Sequence, residues 1–211
     1  MLRKVLRSIA AVATAALLAA CALSEDKVPV DYVPDPAPRA ALPAAQGVTV
    51  SVSAADRRSQ YADRIGTKKN GYGMEMARIV ATNDVIALVR SAFEQEFKAQ
   101  GFQIGSGGAA VTIEVQNFYN NFKLGLVAGT GAAEVSFSVK VRDASGTLLY
   151  QQFYDGTGTV DGVMLASGTN AKLGVEKALA AAVKLAFADA ELQKALLSTR
   201  PQPSAASGRR V

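Results

Sequence analysis

The chain contains no histidine and no tryptophan, and cysteine occurs once, at Cys21. Without His there is no Ser-His-Asp triad, no Cys-His dyad and no His-ligated zinc site. A lone Cys forms neither an internal disulfide nor a CxxC pair. Proline is absent from residues 47–198, although the 211-residue chain has seven. Pro29, Pro34, Pro36, Pro38 and Pro43 precede that block, and Pro201 and Pro203 follow it. Proline interrupts the hydrogen bonding of helix and sheet, so the block reads as the folded domain and its flanks as tether and tail. Of all residues 49% are apolar and 19% charged, the balance of a chain that folds around a core. The length allows one domain.

What is present is most specific at the N-terminus. Arg3, Lys4 and Arg7 precede an apolar run over residues 9–20 that is broken only by Thr14. This is the layout of a secretory signal, and the run is shorter than the roughly 20 residues a membrane span needs. Leu18-Ala19-Ala20-Cys21 resembles the lipobox of bacterial lipoproteins. The resemblance implies a diacylglycerol thioether on Cys21, cleavage before it, and acylation of the new amino group, palmitate being an acyl chain expected there. Two or more chains, at about 0.8 kcal/mol per buried methylene, anchor a protein durably. Ala22, where an Asp would retain such a protein in the inner membrane, points to the outer membrane. Cleavage removes three cations and no acid, so 23 Lys+Arg against 18 Asp+Glu becomes 20 against 18. That near-neutral balance lacks the concentrated basic face of nucleic-acid binders, and no nucleic-acid partner is expected.

Within residues 47–198 the apolar period switches between two and 3.6. Val48, Val50 and Val52 alternate with polar neighbours, as in a half-buried strand. Residues 54–80 are polar and ambiguous, with Gly66, Gly71 and Gly73 marking turns. Val85, Ile86, Val89, Phe93 and Phe97 have helical spacing from about Asp84 to Gln100, with Thr82 or Asn83 as cap and Gly101 as stop. Strand alternation returns over 109–119 and 135–142. Asp143-Ala144-Ser145-Gly146 then turns the chain into a hairpin arm at 147–154, whose buried face is ambiguous because both faces carry aromatics. An Ala-rich helix from about 170 to 187 and a short one capped by Asp189 close the domain. The expected fold is α+β, a two-layer sandwich of mostly antiparallel sheet with helices on one face, in the order β-α-β-β-β-α. The expected divisions are a signal peptide (1–20), an anchor and Pro/Ala-rich tether (21–46), one periplasmic domain (47–198) and a disordered tail (199–211).

The chemistry that survives these exclusions is sparse. Glu114 and Glu134 alternate with valines, as solvated sheet carboxylates do, and carry no catalytic assignment. The glycines at 105–108 and 125–131 lack the strand–loop–helix order and the Gly-Lys-Ser/Thr ending of phosphate loops. Arg57, Arg58, Arg64, Lys68 and Lys69 form a basic segment, a candidate surface for an anionic ligand or partner. Asn117, Tyr119, Asn121 and Phe122 mix amides with aromatics, the residue types that contact sugars. No catalytic residue, metal site or cofactor is expected, and the chain reads as a non-enzyme.

The lipobox, the strand leading into Ala55-Asp56-Arg57-Arg58, the helix entering Gln100-Gly101-Phe102-Gln103-Ile104 and the Ala-rich helix before Asp189-Ala190-Glu191-Leu192 together resemble the YajG-like family of bacterial outer-membrane lipoproteins. The family has no established activity, so the resemblance implies location and fold. The expectation is an outer-membrane lipoprotein facing the periplasm, held by its acyl chains and serving as an adaptor or assembly module for an envelope protein. The alternative is a binder of an anionic envelope ligand such as a muropeptide, glycan or lipopolysaccharide.

Overall fold

The computed structural model describes residues 24–34, 41–70, 72–123, 129–163 and 166–200. The signal segment, Cys21, most of the glycine-rich loop and the tail from 201 lie outside them. In chain order the elements are β1 (Asp26–Val28), a 3-10 turn (Pro43–Ala45), β2 (Thr49–Asp56), β3 (Gly66–Lys69), β4 (Glu75–Ala81), α1 (Val85–Gln100), β5 (Gln103–Ile104), β6 (Ala109–Lys123), β7 (Gly129–Arg142), β8 (Leu148–Val163), α2 (Gly168–Ala188) and α3 (Ala190–Leu197). The fold is the expected α+β class, one largely antiparallel sheet with helices on one face, but the order is β-β-β-β-α-β-β-β-β-α-α and not the expected β-α-β-β-β-α, because the short strands β1, β3, β4 and β5 carry no readable period.

Local signals set most boundaries. Asp84 caps α1 by accepting from the Ile86 and Ala87 amides, and Gly101 stops it at φ +99°. Asp189 caps α3 in the same way. Strand β6 is the hub of the sheet. Its first half pairs parallel with β2 (Val50↔Ala109 to Asp56↔Val115), its far end meets β3 at Gly66↔Asn120, and β7 runs antiparallel beside it. Among the described residues strand β8 pairs only with β7 and forms an edge. The polar stretch 54–80 contains β3 and β4, an antiparallel pair with a register shift at Lys68/Lys69. Its period is obscured because both strands are short and only half buried.

The two main helices cover the sheet by different means. Helix α1 inserts large rings: Phe93 lies edge-on to Phe137 at 5.3 Å, and Phe97 sits 4.8 Å from Phe187 of α2. Helix α2 presents Ala171, Gly174, Ala178 and Ala182, all buried, and lies almost directly on β8. A Cβ built on Gly156 would stand 2.3 Å from the Ala178 carbonyl oxygen, and one on Gly158 would stand 2.2 Å from that of Gly174. Close backbone approach is what requires glycine at these two strand positions.

One irregularity decides what faces solvent. Val115 pairs with Phe137, but the next pair is Asn117↔Ser136, so Gln116 is an extra residue, a β-bulge. Before the bulge Val111, Ile113 and Val115 point to the core. After it Phe118, Asn120 and Phe122 do, and Asn117, Tyr119 and Asn121 turn outward. The shift also drives the Asn120 amide into the core, fully buried and with neither side-chain atom bonded. Such an orphan costs about 1–3 kcal/mol. Gly174 makes room for it, since a Cβ there would come within 2.4 Å of Asn120 Oδ1.

The segment read as tether is in part a strap on the domain. Strand β1 adds parallel to β4 (Asp26↔Ile79 to Val28↔Ala81). Val30 is 1% exposed, and its backbone N–H and C=O both bond the Asn83 side chain at 2.9 Å. Asp31 N–H donates to Glu176 of α2 at 2.8 Å, and the Tyr32 hydroxyl donates to buried Glu96 of α1. Pro29 ends β1 inside this strap, and Pro34, Pro36, Pro38 and Pro43 follow it, so the proline density begins where pairing stops, whereas Asp26–Val30 belongs to the sheet and core.

Candidate functional site

The bulge at Gln116 gathers the outward residues of β6 into a groove on the open face of the sheet. Asn117, Tyr119 and Asn121 form its floor with Ala132 and Glu134 of β7. Lys69 and Glu75, from β3 and β4, and Tyr61, from the loop before them, close one side around about 330 Å³. Tyr61 stacks on Tyr119 with ring centroids 4.1 Å apart and planes 17° from parallel, and the Arg64 guanidinium lies 5.5 Å from the Tyr61 ring centre. Tyr61 holds a left-handed backbone at φ +55°, alone among the described non-glycine residues. That conformation costs about 1–2 kcal/mol for a residue with a Cβ.

The polar groups around the rings offer both donors and acceptors. Lys69 Nζ donates to Asn121 Oδ1 at 2.8 Å, and Tyr119 OH shares a 2.9 Å hydrogen bond with Thr67 Oγ1. Burial raises the Tyr119 pKa, with the Thr67 bond offsetting part of the rise, so the phenol keeps its proton at neutral pH. Glu134 opposes Tyr119 in register and lies near Asp155 of β8. Burial, then the Glu134 charge, lift the Asp155 carboxyl above its ordinary range. Neither carboxylate has an ion-pair partner among the described residues.

Three residues of the sequence-derived sugar set, Asn117, Tyr119 and Asn121, therefore meet in one groove. The fourth, Phe122, is on the core face and 4% exposed. The basic segment is neutralised piece by piece. Arg58 forms a fork to Asp56 (2.7 and 2.9 Å) with its side chain 5% exposed, and that bond holds the Asp56 carboxyl below its ordinary range against the opposing effect of burial. Lys68 meets Asp26 at 2.6 Å, Arg64 meets Asp63 at 3.0 Å, and Arg57 lies 3.9 Å from Glu114. Of these cations Lys69 lines the groove, and Arg64 borders it through the Tyr61 ring and Glu75, 4.0 Å away. Glu114 pairs with Lys140 at 2.8 Å and sits opposite Ser138, five residues along β6 from the position facing Glu134. Tyr61 and Glu75 carried no sequence signal, because the polar stretch around them has no period.

A second feature is the edge strand. Leu148, Leu149 and Phe153 are 45%, 38% and 50% exposed on β8. Tyr150 and Tyr154 face inward, which settles the hairpin arm's orientation. Their hydroxyls bond each other and reach Asp189 Oδ2 at 2.6 and 2.8 Å, fixing the strand to the α2–α3 junction. Burial first, then Asp189, push Tyr150 up to about 12. Farther along, Lys177 Nζ caps the Thr159 carbonyl at 3.0 Å, a guard on the edge backbone. Among the described residues no group of three or more His, Cys, Asp or Glu is placed to hold a metal, and no helix is long and apolar enough to cross a membrane.

Residues 35–197 match the model of a family described as uncharacterized lipoprotein. A crystal structure of a protein from Xanthomonas campestris is 14% identical, with 81% of this chain and 98% of that one covered and a TM-score of 0.51. A minor lipoprotein from Acinetobacter baumannii is 9% identical over 74% of this chain and 98% of that one, at a TM-score of 0.38. The Xanthomonas likeness concerns the fold alone. No curated protein matches the sequence.

Proposed function

The chain belongs to this family of uncharacterized lipoproteins, and from that premise we propose that it is a non-enzymatic envelope adaptor of the YajG-like kind. It is anchored in the outer membrane by acyl chains on Cys21 and faces the periplasm. The observation that carries the adaptor role is the β8 edge, whose unpaired backbone lies beside exposed Leu148, Leu149 and Phe153. An extended segment of an envelope protein adds to such an edge by main-chain hydrogen bonds, with apolar side chains giving specificity. The strap sharpens the picture. Only four residues lie between Cys21 and Asp26, so the start of β1 is held within about 18 Å of the anchor. The module works close to the membrane surface.

Two measurements test this reading in cells. Cys21→Ser should move the protein out of the membrane fraction, and wild-type retention there would remove the anchor. A photo-crosslinking residue at position 149 or 153 should capture one or two defined envelope proteins. Adducts arising equally from the groove face, or from neither face, would remove the edge-docking role. The groove favours a second reading, a small envelope ligand drawn from peptidoglycan or lipopolysaccharide.

A further inference from the structure

We propose that the groove bounded by Tyr61 and Tyr119 binds a neutral pyranose ring of an envelope glycan. The proposal goes beyond the docking role of β8 and does not depend on it. Three observations converge. The first is chemical: two tyrosine rings stand beside the Asn117 and Asn121 amides, the Glu134 carboxylate and the Lys69 ammonium within about 330 Å³. Amides both donate and accept, a carboxylate accepts and an ammonium donates, which suits the mixed hydroxyls of a sugar, while the stacked Tyr61–Tyr119 pair, one face of each ring turned to the other, leaves its remaining aromatic surface for apolar C–H groups. The second is charge. Glu75 is paired with Arg64 at 4.0 Å and Lys69 is engaged by Asn121, which leaves the Glu134 carboxylate as the charge facing the groove without a counter-ion among the described residues, so an anionic sugar meets repulsion where a neutral one does not.

The third is structural expense. Tyr61 keeps a left-handed backbone that glycine would adopt freely, yet a ring stands there. The bulge that turns Asn117, Tyr119 and Asn121 outward also leaves the Asn120 amide buried without a partner. Both costs buy the same thing, an aromatic and amide surface on the open face.

The test uses the full-length lipidated protein in lauryldimethylamine oxide, a detergent without a sugar headgroup, with binding read by titration calorimetry. The probes are the neutral tetramer of N-acetylglucosamine and the anionic tetramer of galacturonate. The neutral probe should bind saturably and the anion should not. Tyr61→Gly should weaken the neutral probe about tenfold or more without lowering the melting temperature, because the substitution releases backbone strain as it removes the ring. Asn117→Ala should weaken it as well, and substitutions at Leu149 or Phe153 should leave it unchanged. Equal binding of both probes, or of neither, overturns the proposal. So does a Tyr61→Gly protein that melts lower and binds normally, since the ring would then be structural. Competition by soluble peptidoglycan glycan strands or by lipopolysaccharide identifies which polymer supplies the ring.

Discussion

The two faces of strands β6 and β7 are built from neighbouring residues and obey different rules. On the inner face Val111, Ile113, Val135, Phe137 and Val139 are at most 1% exposed, and sterics decides every position. On the outer face Asn117, Tyr119, Asn121 and Glu134 surround an open groove, and nothing in the packing demands those identities. The inner face also shows how little freedom a core leaves: α1 fills space with phenylalanines, whereas α2 removes side chains until backbone meets backbone. The contrast teaches that packed and open surfaces alternate here residue by residue along a strand.

Adjacent substitutions on β7 should break that symmetry most visibly. Phe137→Ala removes a ring packed against Phe93 and Tyr154 and should cost about 3–5 kcal/mol. Glu134→Ala, three residues earlier on the other face, should cost less than about 0.5 kcal/mol. Urea unfolding of both variants measures the difference, and equal losses would mean that the faces are not independent.

Gly156→Ala comes next. The new methyl would meet the Ala178 oxygen and the Ala182 nitrogen, both at 2.3 Å and both backbone, so α2 must lift as a unit. The expected loss is about 3 kcal/mol, the upper part of the usual range for overpacking. A melting temperature unchanged from wild type would show that α2 slides freely over β8.

The smallest effect sharpens the comparison from the outer side. Asp155 has a raised pKa in the fold, so its protonated form is favoured there relative to the unfolded chain. Its contribution to stability is complete below the unfolded carboxylate pKa and is lost as pH rises through the folded value. Asp155→Asn should therefore stabilise the protein by a few tenths of a kcal/mol at neutral pH, with the gain fading in acid. A stability difference that does not depend on pH would place the cause elsewhere than in the Glu134–Asp155 repulsion.

Much of the fold was legible because its signals are local. The Asp189 side chain caps its own helix, Gly101 stops α1, and Asp143-Ala144-Ser145-Gly146 turns the hairpin with Gly146 at φ +87°, whereas the α1 cap is Asp84 and not the expected Thr82 or Asn83, the Asn83 side chain being held by the Val30 backbone. The candidate site was legible in part. Asn117, Tyr119 and Asn121 stood out by composition, whereas Tyr61, Glu75 and Lys69 reach the groove only through the folding of β3 and β4 back along the sheet. The basic segment was visible as a run of cations, but its neutralisation was not, because Asp26 pairs with Lys68 and Glu114 approaches Arg57 only in the assembled sheet.

By itself, the sequence determined the class of the fold, the helix stop at Gly101, the cap at Asp189 and the lipobox-like Cys21, since each rests on residues within one turn or one strand of each other. Tertiary structure alone decided the rest. Strict alternation continued from Val115 would have put Tyr119 in the core and Phe122 in solvent. The bulge at Gln116 reversed both, because register belongs to the pair of strands and follows the burial of Phe118 and Phe122 in the core. Likewise Pro-rich composition could not reveal that Asp26–Val30 is held by β4 and Asn83, since the hydrogen bonds that pin it are made by residues more than fifty positions away.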